Sequence, residues 1–120
     1  MSLIVNGKTL ETDQDGYLLD HNEWDQDVMQ ALIAAHEGEG HKQLSETAIG
    51  MVEYFREVFE EKQKTPSMHE LINELGRRKG ESFTEAQDYK TFLYDMFPHG
   101  PVQKLAKLAG LPNPGVENES

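Results

Sequence analysis

The chain has 120 residues, 37% of them hydrophobic, and a formal net charge of −11; this composition predicts one globular domain and excludes a disordered chain. It contains no cysteine, which excludes disulfides, thiolate metal sites and thiol nucleophiles. No apolar run is long enough to span a membrane, and the first residues lack the features of a signal peptide. We therefore predict a cytoplasmic protein without a membrane partner.

The first predicted element is a β-hairpin at about residues 3–11. Asn6-Gly7 stands between two short apolar segments, and this dipeptide supplies the two positive-φ residues of a type I′ turn. Asp15-Gly16 predicts a second turn. Because an isolated hairpin is only marginally stable in water, we expect its apolar face to pack on the helices that follow.

Five helices are predicted after the hairpin, because apolar residues then recur every three or four positions. Asn22 and Ser45 are candidate N-caps of the first two helices, and Ser67 with Glu70 has the spacing of a capping box. The apolar stripe around Phe55 is the broadest, and it predicts that the second helix is the centre of the core. The predicted helices span about residues 23–37, 45–63, 67–79, 86–97 and 101–109.

The predicted fold is therefore mainly α, with an N-terminal β-hairpin packed on a five-helix bundle in a single domain of residues 1–110. Gly110 is suited to end the last helix, and Pro112 and Pro114 disfavour regular structure after it. Residues 111–120 are predicted to form an extended, mobile C-terminal arm.

His36 and His41 flank the segment Glu-Gly-Glu-Gly and are candidate metal ligands. A zinc-binding pair of this kind lies one turn apart on a continuous helix, whereas these two are five positions apart with two glycines between them. We interpret the segment as a polar loop. His21, His69 and His99 form no cluster in the sequence, so we predict neither a metal site nor a cofactor.

A nucleic-acid interface is an alternative, through residues 68–97. Two predicted helices there flank Arg77-Arg78-Lys79, an arrangement compatible with a helix-turn-helix. Against it, Asp88 and Asp95 lie on the second of these helices, and the whole chain carries a net charge of −11. Phosphate contacts dominate affinity for DNA, so this charge favours a protein partner instead.

The sequence resembles the DsrC/TusE family of sulfur-relay proteins in segments that run in order from about residue 5 to residue 114. Residues 7–13 (GKTLETD) and 92–104 (FLYDMFPHGPVQK) carry the similarity, and residues 109–114 (AGLPNP) continue it. The resemblance implies the family's helical fold and a role in sulfur relay. It also implies partners among sulfur-relay or sulfite-reductase-type proteins.

The resemblance further implies where a sulfur carrier would lie. In the family a cysteine near the end of the arm carries persulfide, and DsrC proteins have a second cysteine earlier in the chain; the aligned positions hold Glu117 and Ala106. Because persulfide forms on a thiolate, we predict a non-enzymatic protein-interaction or regulatory module for sulfur-trafficking partners. The alternatives are a DNA-binding regulator and a sulfurtransferase or sulfite-reductase-associated subunit.

The predicted partner surface is the end of the molecule that bears the arm, where the family motifs are retained although the carrier positions are not. Lys104 and Lys107 lie beside the apolar face of the last predicted helix, and charges at the rim of an interface steer association. The predicted interface consists of Tyr94, Phe97, Pro98, Gly100, Pro101, Lys104, Lys107, Leu111, Pro112 and Pro114.

Overall fold

A β-hairpin followed by five α-helices forms the fold, in a computed structural model that describes residues 2–78 and 86–115. The prediction of a mainly α fold with an N-terminal hairpin is confirmed. In chain order the elements are β1 (Ser2–Val5), β2 (Lys8–Glu11), α1 (Gln26–Gly38), α2 (Glu46–Lys62), α3 (Met68–Arg78), α4 (Ala86–Met96) and α5 (Pro101–Leu108).

Strands β1 and β2 pair in antiparallel register, with Leu3 opposite Leu10. Asn6 and Gly7 between them have φ values of 53° and 80°, which are the positive values that a type I′ turn requires. Leu10 is buried, and Leu3 and Val5 pack against the same core. The helices therefore cover the apolar face of the hairpin, as predicted.

Two of the predicted helix caps are present in the structure. The Ser45 hydroxyl accepts a hydrogen bond from the backbone N–H of Ala48 at 3.2 Å. At the start of α3, the Ser67 hydroxyl accepts from the Glu70 N–H at 3.1 Å, and the Glu70 carboxylate accepts from the Ser67 N–H at 3.2 Å. This reciprocal pair is a capping box, and its hydrogen bond to the carboxylate lowers the pKa of Glu70.

The predicted start of the first helix is wrong. Asn22 lies in a turn of 3-10 helix, His21–Glu23, and the N-cap of α1 is Asp25, whose carboxylate accepts from the Val28 N–H at 2.8 Å. Trp24 separates the two in an extended conformation. Its indole is hydrogen-bonded to α5, and this tertiary contact takes Trp24 out of the helical register.

The centre of the core is α2, as predicted. Met51, Val52 and Phe55 have 0% exposure, and α2 packs against α5 while α3 packs against α4. Burial of this broad stripe is the main source of stability for a helix in water. No α-helix within residues 2–78 and 86–115 is long and apolar enough to cross a membrane.

The last helix ends in a tight cap that fixes the following residue. Gly110 has a φ of 74° and donates to the Lys107 carbonyl, and Leu111 donates to the Ala106 carbonyl at 2.9 Å, which is the hydrogen-bond pattern of a Schellman motif. Leu111 has 0% exposure. Leu111 therefore belongs to the core, and the arm begins at Pro112, one residue later than predicted.

The residues from Pro112 to Gly115 are exposed and form no regular structure. The rest of the predicted arm lies outside the described residues, and its mobility stays a prediction. The other helix ends lie within about one residue of the predicted positions, apart from the end of α3, where residue 79 is also outside the described residues.

Candidate functional site

The residues predicted to form the partner surface divide into a buried and an accessible group. Phe97, Gly100, Pro101 and Leu111 are buried, so in this conformation they hold α5 on the bundle and cannot contact a partner. They are buried because the motif that begins and ends α5 also buries its termini, and their part in an interface stays a prediction. The accessible members are Tyr94, Pro98, Lys104, Lys107, Pro112 and Pro114.

Helix α5 carries a core face and a charged face. Leu105 and Ala106 have 0% exposure on the core face, whereas the side chains of Lys104 and Lys107 are only partly buried. Ala106, the position at which the resemblance predicts a second family cysteine, therefore places a methyl group inside the core. Glu117, the position predicted for the carrier cysteine of the arm, lies outside the described residues.

Two side chains from earlier in the chain hold the C-terminal end of α5. The Trp24 indole N–H donates to the Leu108 carbonyl at 2.9 Å. The Arg56 guanidinium lies 4.8 Å from the centroid of the Trp24 ring and donates to the Ala109 carbonyl at 3.3 Å. A Cβ at Gly110 would lie only 2.5 Å from Trp24 Cδ1. This arrangement, the Trp24–Arg56 clasp, fixes the point at which the chain leaves the bundle.

Sequence analysis missed the clasp. The available signal was a cation at the edge of the apolar stripe of α2, since Arg56 lies between Phe55 and Phe59 along the helix. Such a residue is ordinarily interpreted as exposed, but Arg56 is 8% exposed. Trp24, the only tryptophan in the sequence, falls within the range 23–37 that was predicted for the first helix.

The loop after β2 contacts the charged face of α5. The Tyr17 hydroxyl donates to the Gln103 carbonyl at 3.0 Å, and a Cβ at Gly16 would lie 2.7 Å from Lys107 Cε. The alkyl chain of Lys107 therefore rests on a glycine that leaves room for it. Burial and the charge of Lys104 disfavour the ammonium form, and the pKa of Lys107 is lowered.

The described part of the arm lies on the same side of the molecule. The Gln103 side-chain amide donates to the Gly115 carbonyl, and the Gly115 N–H donates to the Asn113 side chain at 2.8 Å. Asn113 also lines a cavity of about 400 Å³ together with Lys104 and Lys107. The start of the arm and the two lysines therefore form one continuous surface, which we call the α5 surface.

Three histidines that are separate in the sequence come together in the fold. The rings of His36 and His41 stack with centroids 4.2 Å apart, and His99 lies edge-on to His41 at 6.5 Å. His36 is 3% exposed, and its burial, followed by the nearby His41 and Lys104, lowers its pKa to about 4. Within the described part of the chain, no three histidine or carboxylate side chains are placed to hold a metal ion.

The helices of the alternative helix-turn-helix interpretation, α3 and α4, pack against each other. The segment that joins them, including Lys79, lies outside the described residues. Arg77 donates to the Glu74 carboxylate at 2.8 Å. One of the three clustered cations of the helix-turn-helix interpretation is therefore held by an intramolecular ion pair. Nucleic-acid binding through this region stays a prediction.

Similarity to known proteins extends over nearly the whole chain. The family described as DsrC like protein matches residues 4–116. A sulfurtransferase TusE from Salmonella paratyphi A is 34% identical over 112 residues, which cover 93% of this chain and 95% of that protein.

Solved structures show the same similarity in three dimensions. The oxidized gamma-subunit of the dissimilatory sulfite reductase (DsrC) from Archaeoglobus fulgidus matches with a TM-score of 0.78 at 29% identity, over 95% of this chain and 96% of that one. DsrC from Allochromatium vinosum matches with a TM-score of 0.75 at 28% identity, over the same shares.

Proposed function

Because this chain belongs to the DsrC/TusE family, we propose that it acts in sulfur relay as a protein-interaction or regulatory module that carries no persulfide itself. The observation that carries this proposal is the absence of cysteine from a chain with the family fold. Persulfide forms when a thiolate attacks a sulfane sulfur, and the chain has no thiolate to offer. We propose accordingly that it is not an enzyme and that it binds its partners in the cytoplasm.

The surroundings of Ala106 support the proposal. Its methyl group is fully buried on the core face of α5, and its carbonyl accepts the hydrogen bond that closes the helix. A sulfur-transfer reaction needs a reactive group that the donor can reach. At this position the chain instead has a small apolar side chain that contributes to packing.

The α5 surface supports the choice of a protein partner. Lys104 and Lys107 form no ion pair within the described residues. The rest of the protein is acidic, with fourteen acidic and four basic residues in the first 63 positions of the sequence. A small positive region on an acidic protein orients an approaching acidic partner. The chain's relatives include a sulfurtransferase TusE and a gamma-subunit of dissimilatory sulfite reductase, so the partners to test are those of a sulfur relay and those of a sulfite reductase.

Mass spectrometry tests the sulfur chemistry directly. After incubation with a persulfidated donor protein, we expect no adduct of about 32 Da, the mass of one sulfur atom, on this chain. The matched control is Glu117→Cys, which restores a thiol at the carrier position of the arm and should gain an adduct that a reductant removes. A reductant-sensitive adduct on the unaltered chain would show that it carries sulfur after all.

A binding measurement tests the second half of the proposal. The purified chain is immobilised and exposed to the sulfur-relay proteins and to the sulfite-reductase-type complex of the same organism. We expect one of them to bind saturably. The unaltered chain, which has Glu117, and the Glu117→Cys variant should bind it with the same affinity. If neither class of protein is retained, the role as a sulfur-relay interaction module is wrong.

A further inference from the structure

We propose that a cavity between the hairpin, the end of α1 and α5 binds a small zwitterion with an apolar body, which is the chemistry of an aliphatic α-amino acid. This cavity adjoins the cavity of about 400 Å³ at the α5 surface, and the two share Gln14, Asp15, Glu39 and Lys107 in their linings. The apolar wall and His36 belong to the proposed site alone. The inference does not depend on the proposed role in sulfur relay.

The cavity has a volume of about 260 Å³ and one apolar wall. Leu3 from β1 and Leu32 and Ala35 from α1 form that wall, and polar side chains complete the lining. Small-molecule sites combine apolar walls with a few placed polar groups in this way. A ligand that fills the cavity therefore needs an apolar body as well as polar ends.

His36 gives the first indication of a missing ligand. This residue lines the cavity and is only 3% exposed. Its Nε2 atom has no hydrogen-bond partner within the described residues. A buried polar atom without a partner is unfavourable, and native structures rarely leave one. Because its pKa is lowered to about 4, the ring is neutral at neutral pH. It can therefore form a hydrogen bond with a ligand without a change in protonation.

The charged residues of the lining give the second indication. Lys107 is partly buried, and neither it nor Glu39 nor Asp15 forms an ion pair in the part of the chain that the structure describes. A simple anion would be attracted by the lysine but repelled by both carboxylates. A simple cation would be attracted by the carboxylates but repelled by the lysine. A zwitterion satisfies all three, with its carboxylate at Lys107 and His36 and its ammonium at Glu39 and Asp15.

Gly16 leaves room for the lysine side chain at the edge of the cavity. It has a φ of 89°, and a Cβ there would lie 2.9 Å from Lys107 Nζ, so the lysine side chain lies in space that any other residue would fill. Preorganised polar groups lose less conformational entropy when a ligand binds. Partial burial next to Gly16 distinguishes Lys107 from a lysine that is surrounded by solvent.

Calorimetric titration of the full chain with L-leucine tests the proposal. Two related probes dissect the ligand: 4-methylpentanoate has the same body and carboxylate without the ammonium, and glycine has both charges without the body. We expect saturable binding of L-leucine and a loss of about tenfold or more in affinity for each related probe, since each lacks one class of contact.

Variants that remove one charge and keep a polar side chain of similar size test the residues. Lys107→Gln and Glu39→Gln should each weaken L-leucine binding by about tenfold or more. Lys62→Gln, at the exposed end of α2, makes the same change away from the cavity and should bind like the unaltered chain. Circular dichroism reports whether each variant is folded. The proposal is overturned if L-leucine does not bind at millimolar concentration, if 4-methylpentanoate binds as well, or if folded Lys107→Gln retains full affinity.

Discussion

The buried guanidinium of Arg56 connects α2 to the end of α5. Burying a charge is costly unless hydrogen bonds and an opposite charge compensate for it. Here the Glu60 carboxylate accepts from Nε at 3.2 Å, the Ala109 carbonyl accepts from the guanidinium, and the Trp24 ring covers it. The Trp24–Arg56 clasp thus joins α2 to the last residues of α5.

Removing the indole N–H should weaken the clasp without removing its aromatic ring. We expect Trp24→Phe to lower the free energy of unfolding by about 1–2 kcal/mol, because the Leu108 carbonyl loses a hydrogen-bond donor. Urea denaturation measures the change. Ile4→Ala, at a position that is 70% exposed, is a control that should stay within about 0.5 kcal/mol. Equal effects of the two substitutions would show that the indole hydrogen bond contributes little.

The buried imidazole of His36 makes stability depend on pH. Burial is the largest cause of its lowered pKa, followed by His41 and Lys104; Lys107 acts in the same direction and Glu39 in the opposite one. In the unfolded chain the pKa is near 6.5 and in the folded chain about 4, so the unfolded state binds the proton more tightly. The free energy of unfolding therefore falls as the pH falls from about 6.5 towards about 4.

Substitution of His36 should remove this dependence. When the pH is lowered from 7 to 4, we expect the unaltered chain to lose about 1–3 kcal/mol more of its free energy of unfolding than His36→Gln loses. Urea denaturation at both pH values measures it. His69→Gln, at an exposed position of α3, is the control, and its difference from the unaltered chain should not change by that amount. A difference for His36→Gln that is the same at both pH values would contradict the prediction.

At the scale of elements, α2 is the helix on which the others pack. Phe55 has 0% exposure at its centre, so truncation to alanine both removes buried apolar surface and leaves a cavity. We expect Phe55→Ala to lower the free energy of unfolding by about 3–5 kcal/mol, as measured by thermal or urea denaturation. Glu53→Ala changes an exposed residue of the same helix and should cost less than about 0.5 kcal/mol. A small effect at Phe55 would mean that neighbouring side chains fill the space.

The elements that could be predicted from the sequence are those determined by nearby residues. Ser45 and Ser67 cap helices whose N–H groups lie three positions later, so spacing alone was sufficient. The start of α1 could not be predicted in this way. Asn22 and Asp25 are both good N-caps, and the choice between them depends on the hydrogen bond from Trp24 to Leu108, which joins residues 84 positions apart.

The candidate sites were less predictable for the same reason. The stacked pair of His36 and His41 is local, but its contact with His99 and the closeness of Lys107 depend on how α5 packs. Family resemblance identified α5 and the arm as the important region, yet it could not indicate which residues there are buried. Burial of Leu111 follows from the Schellman motif at Gly110, and a sequence motif does not reveal which side of the helix end faces the core.

At the scale of the whole molecule, the charge pattern separates an acidic body from the α5 surface. The first 63 positions of the sequence hold fourteen acids and four bases, whereas the remaining positions hold eight and seven. Of the two lysines on the α5 surface, Lys104 is the better probe of association. Lys107 is partly buried near Glu39 and Asp15, so a third carboxylate there would also destabilise the fold.

Reversing the charge of Lys104 should slow association with a protein partner. We expect Lys104→Glu to lower the association rate a few-fold at low ionic strength and much less at high ionic strength, because exposed charges act through a field that salt screens. Surface plasmon resonance at two salt concentrations measures both rates. Lys62→Glu makes the same charge reversal at the exposed end of α2 and controls for the change in net charge.

The arm makes a separate contribution, which a truncation can isolate. Deletion of residues 112–120 keeps Leu111, whose burial completes the core, and so should leave the free energy of unfolding nearly unchanged. Pro112 and Pro114 are exposed on either side of Asn113, which lines the same cavity as Lys104 and Lys107. The Gln103 side chain holds this segment through the Gly115 carbonyl. We expect the truncated chain to dissociate faster from the partner, because contacts made after encounter mainly determine the dissociation rate. If the truncated chain and Lys104→Glu both bind like the unaltered chain, the retained family motif serves folding alone and the partner surface lies elsewhere.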